Sequence, residues 1–150
     1  MNNELNLSYQ QISATTVSIA KALMGIVDNY LNEFSKEDFL TFSKSKNQSD
    51  KYLNQYHLFL TNISHVITEL SSTNARLASL LIKADKAMDI EIVALCEKCF
   101  NAFEDFERNM HEYTVAMESL FEGSSATATA ITKLTQRLKN AIERLIEANI

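Results

Sequence analysis

The stretch from Leu53 to Ala84, LNQYHLFLTNISHVITELSSTNARLASLLIKA, decides the fold. Leu53, Leu60, Ile67, Asn74 and Leu81 recur every seven residues, and Tyr56, Ile63, Leu70, Leu77 and Ala84 form a second row three residues further on. Spacings of three and four place both rows on one face of an α-helix. A third row (Tyr52, Phe59, Val66, Thr73, Leu80) widens the stripe beyond a two-stranded coil and toward the broad face of a bundle helix. The chain has no proline and two glycines. Proline costs a helix interior about 3 kcal/mol, so helices can run without interruption.

The same pattern extends in both directions. Upstream, Tyr9, Thr16, Leu23 and Tyr30 run beside Leu5, Ile12, Ile19 and Ile26, giving a helix over about 4–34. Gly25 lies inside it at a cost of about 1 kcal/mol relative to alanine, which suggests a close helix approach. The second helix occupies about 50–84, with Ser49 or Asp50 as N-cap. Downstream, Cys96, Phe103, Met110 and Met117 run beside Ile92, Cys99, Phe106, Tyr113 and Leu120, a helix over 89–122 capped by Asp89 and ended by Gly123. A last helix over 125–149, capped by Ser124 or Ser125, carries Ile131, Leu138 and Leu145 with Leu134, Ala141, Ile142 and Ala148.

These blocks predict an all-α fold, an elongated antiparallel four-helix bundle of up-down-up-down order, as one domain over 1–150. Short connections at 85–89 and 123–125 demand antiparallel neighbours. Between helices one and two, Ser35-Lys36-Glu37-Asp38 reads as a weak capping box opening a short extra helical turn. The polar run SKSKNQSD, 43–50, reads as a mobile loop. The alternative is a hairpin of helices two and three completed by a second chain, a homo-oligomer.

Net charge is −5, which argues against free nucleic acid as a partner, because affinity for it comes from Lys and Arg on phosphates. Acidic side chains crowd the third block: Asp89, Glu91, Glu97, Glu104, Asp105, Glu107, Glu112, Glu118 and Glu122 stand against only Lys98 and Arg108. The last block is basic, with Lys133, Arg137, Lys139 and Arg144 against Glu143 and Glu147. Either the acidic helix pairs with the basic one inside the bundle, or helix 89–122 offers its face to a basic protein partner. No apolar run approaches the ~20 residues of a membrane span, and no hydrophobic leader opens the chain. Cytoplasmic residence is expected, leaderless secretion stays open, and a membrane is not an expected partner.

The motif that invites a chemical reading is Cys96-Glu97-Lys98-Cys99. Redox pairs of this spacing sit at helix N-termini, where the dipole lowers a thiol pKa, and zinc needs further ligands. Here both thiols fall mid-helix on the apolar seam, so core cysteines are expected, with no metal and no cofactor. Asn74, a polar residue on a leucine seam, falls level with Cys96 and Cys99 when blocks two and three fold back on each other. These three form a candidate polar core layer. Phe39, Phe42, Leu120 and Phe121 gather at the opposite end as a candidate apolar tip for partner contact. Nothing resembles a nucleophile, base and orienting third group, so catalysis is not expected.

The expected function is a non-enzymatic interaction, scaffold or adaptor protein. The composition, rich in Ser, Thr and Asn, resembles that of bacterial secretion-associated and phage-borne helical proteins. That likeness covers no motif and carries no residue roles. A bundle holding a small apolar ligand is the alternative, similar in outline to the sensor domains of bacterial receptors. A secreted or membrane-active helical effector is the other.

Overall fold

A computed structural model describes residues 3–32, 46–122 and 128–150. They form four helices, α1 (Asn3–Asn32), α2 (Lys46–Lys86), α3 (Ile90–Phe121) and α4 (Ala128–Ala148), and no strand occurs among the described residues. The extra turn expected near Phe39, the Gly123 cap and the Ser124 or Ser125 cap lie outside them.

Each helix packs on its neighbours in sequence, and α4 closes on α1. Contacting positions run in opposite order along neighbouring helices. Tyr30 stacks on Phe59 with ring centroids 4.0 Å apart, whereas Leu5, Tyr9 and Ile12 share a cluster with Leu77, Leu80 and Ala84. Phe59 meets Tyr113 edge-on at 6.5 Å, whereas Ala84 lies with Ile92. Asp105 pairs with Arg144 while Cys99 reaches the carbonyl of Ala148.

The expected rows face inward with one shift of phase. On α2 the row Tyr56, Ile63, Leu70, Leu77 and Ala84 is buried, whereas Leu53, Leu60, Ile67, Asn74 and Leu81 flank it half-buried. On α1 the core passes to Ser13, Ala20 and Val27, leaving Ile19 and Ile26 half-buried. A helix of 3.6 residues per turn drifts about 20° against each seven-residue repeat, so on α1 the row that begins with the buried Leu5 and Ile12 leaves the centre by Ile19.

Two apolar clusters divide the rod. The larger draws on all four helices; the smaller, around Leu5, Tyr9, Leu77, Ile92 and Cys96, draws only on α1, α2 and α3. The described part of α4, at 21 residues, is the shortest helix, so α1 and α3 approach each other directly at that end.

Two expectations are corrected. The polar run 43–50 is helical from Lys46, so α2 starts earlier than 50 and reaches 41 residues, roughly 60 Å. Polar residues without Gly or Pro extend an existing helix easily, because the costly nucleation is already made. Gly25 marks no close approach: it is exposed, and a Cβ built there meets nothing within 4 Å. Gly25→Ala is therefore expected to stabilise by about 1 kcal/mol. Thermal denaturation should show a rise of roughly 2–4 °C.

The α2–α3 turn is as tight as expected. Asp89 N–H reaches Ala84 C=O at 2.9 Å and Met88 N–H reaches Asp85 C=O at 3.1 Å, the paired bonds of a Schellman termination. Asp89 then caps α3, its carboxylate accepting from Ile92 N–H at 3.3 Å. Met88 holds the left-handed position at φ 58°, where glycine is the usual occupant.

Candidate functional site

Three regions bear on function, and the first is the polar layer. Asn74 and Cys99 line the same small space, about 10 Å³, together with Thr16 and Asn149. That volume holds one water molecule at most. Asn74 is half-buried on the flank of the α2 stripe, not at its centre. Cys96 is fully buried one turn away in the smaller apolar cluster. Thr16 and Asn149 were not legible as members, because they come from α1 and from the turn just after α4, and the register of these helices against α3 is encoded in no local pattern.

The thiol of Cys99 joins three helices. It donates to the Ala148 carbonyl at 3.4 Å, and with that proton committed the Tyr9 hydroxyl donates to the sulfur at 3.6 Å. Burial, foremost, pushes Cys96 up to about 11 and raises Cys99 as well. Both are free thiols. A thiol held protonated in an apolar seam is a poor nucleophile and a poor metal ligand, so this pair is built for packing. Among the described residues no three His, Cys, Asp or Glu side chains gather where a metal could be held. His57, His65 and His111 are all exposed.

The second region is the aromatic end, and it corrects the expected apolar tip. Leu120 and Phe121 are half-buried and pack on the main cluster. The Phe121 ring lies 5.3 Å from that of Tyr56, which is buried in turn beside Tyr30 at 6.5 Å. Tyr56 of α2 supplies the surface on which the end of α3 folds down. Phe39 and Phe42 lie outside the described residues. The exposed large apolar side chains include Ile82, Met88 and Ile90, around the α2–α3 turn at the other end.

The third region is the outward face of α3. Glu97, Glu104, His111 and Glu118 are seven residues apart and form one exposed row over roughly 32 Å, with Glu107 beside it. Glu91, Glu112 and Glu122 are exposed too. Ion pairs to α3 among the described residues involve Asp105 alone, which takes Arg144 of α4 at 2.6 Å and Arg108 at 3.8 Å. Lys139, the other α4 cation in an ion pair, turns to Asp28 of α1 at 2.9 Å. The basic helix thus neutralises one α3 carboxylate and leaves the outer row to solvent.

Comparison with known protein families, curated proteins and solved structures finds no match. No helix among the described residues is long and apolar enough to cross a membrane.

Proposed function

We propose that this chain is a non-enzymatic interaction protein whose α3 face docks a basic protein partner. One observation carries the reading: the row Glu97, Glu104, Glu118 with Glu107 is exposed and receives no cation from the bundle's own basic helix. Charges used for internal pairing would sit between α3 and α4, as Asp105 does. Carboxylates repeated along one outer face instead create a field that speeds encounter with a cationic surface and sets its register. The four-helix frame suits that role, because it holds the row in place without ordering cost on binding.

The test is a fourfold charge reversal, Glu97→Lys, Glu104→Lys, Glu107→Lys and Glu118→Lys. All four positions are exposed, so helical circular dichroism should be unchanged. Capture from the native cell followed by mass spectrometry should give basic partners with the parent protein. The reversed variant should lose them, at least tenfold by peptide intensity, and added salt should weaken the parent's capture. Identical partners with both proteins would overturn the proposal.

A further inference from the structure

We infer a second binding site, independent of the α3 face, in the groove between α1 and α2: a site for a medium-chain carboxylate. The groove encloses about 410 Å³ and is lined from α1 by Glu4, Ser8 and Gln11, with Arg76, Ser79 and Lys83 facing them from α2. Its floor is apolar, formed by Leu5, Ile12 and Leu80.

Opposite chain directions decide where a charge would go. Residues 5–12 pack against 77–84 in reverse order, so Lys83 lies at the Glu4 end and Arg76 at the Gln11 end. Glu4, the one carboxylate that lines the groove, lies at the Lys83 end and away from Arg76. Arg76 has no ion pair among the described residues, although the protein as a whole is acidic at −5. A guanidinium presents a planar fork that matches a carboxylate's two oxygens. The Gln11 amide and Ser79 hydroxyl flank it as further donors. A carboxylate at Arg76 places its alkyl chain along Leu80, Ile12 and Leu5, whose apolar surface it covers. Head and tail requirements are therefore met by one groove, at opposite ends. Inorganic anions meet only the first and alcohols only the second.

Backbone amide NMR on the full chain, titrated separately with octanoate, octanol and acetate, tests this. Octanoate should give saturable shifts centred on Gln11, Arg76, Ser79 and Leu80, with octanol and acetate at least tenfold weaker. Arg76→Gln should abolish the preference for octanoate over octanol while leaving helical circular dichroism and thermal midpoint unchanged. Shifts centred elsewhere, no saturation by octanoate, or equal binding of octanol would overturn the inference. Equal binding of acetate would overturn its apolar half, and an unaltered preference in Arg76→Gln would overturn its charged half.

Discussion

Raising the pH from 9 to 12 is expected to unfold this protein, and the release of its buried tyrosines should coincide with the loss of helix. Burial is the leading cause in every case. It pushes Tyr9 and Tyr56 up from 10.0 to about 12 and Cys96 from 9.0 to about 11, and it raises Cys99 and Tyr113 likewise. Each group is an acid kept neutral by the fold, with a folded pKa above its unfolded one. Its contribution is fully present below the unfolded value, near pH 9 for the thiols and 10 for the phenols, and is lost as pH climbs through the folded value. The displacement of Cys96 alone corresponds to roughly 2–3 kcal/mol. Several such groups lose their contributions in the same pH window, against the 5–15 kcal/mol that holds an ordinary domain. Helical ellipticity and tyrosinate absorbance followed on one titration should move in a single step above pH 11. Tyrosines titrating near pH 10 with the helices intact would contradict the burial of Tyr9, Tyr56 and Tyr113.

Phe106→Ala should cost about 3–5 kcal/mol, the largest effect expected of a single truncation. Phe106 is 1% exposed and belongs to the cluster that joins all four helices, with the Phe103 ring 6.3 Å away. Removing it leaves a cavity in the centre of the rod, where long helices cannot collapse without moving several neighbours. For a chain of 150 residues the thermal midpoint should fall by roughly 10 °C or more. Leu58→Ala is the matched control. Leu58 is 61% exposed, so its truncation should change stability by about 0.5 kcal/mol or less. Urea denaturation of both variants makes the comparison, and similar losses would remove Phe106 from the core.

Much of the architecture was legible residue by residue. The α3 rows from Cys96 to Met117 and from Ile92 to Tyr113 are buried as their spacing requires. Asp89 caps α3 because a carboxylate before an apolar-periodic run has a free N–H to accept from. Asn74 and Cys99 meet because a tight turn between two straight helices fixes their relative level. The candidate sites were less legible. Phe121 looked exposed at a helix end, but whether an end side chain folds down depends on which neighbouring side chain stands level with it, here Tyr56. Gly25 read as a packing feature although it faces solvent, since a missing side chain carries no periodic signal of its own.

Local spacing by itself determined that this protein is helical, where its seams run and that its thiols are buried, because each of these follows from which side chains recur on one face of a 3.6-residue turn. Which faces meet across the bundle was decided only in three dimensions. The reach of Tyr9 to Cys99, the pairing of Asp105 with Arg144 that leaves the outer carboxylates of α3 unneutralised, and the opposition of Arg76 to Gln11 all depend on the sliding register between helices. That register is set by the joint packing of all four stripes, a property of the assembled core that no one stripe contains.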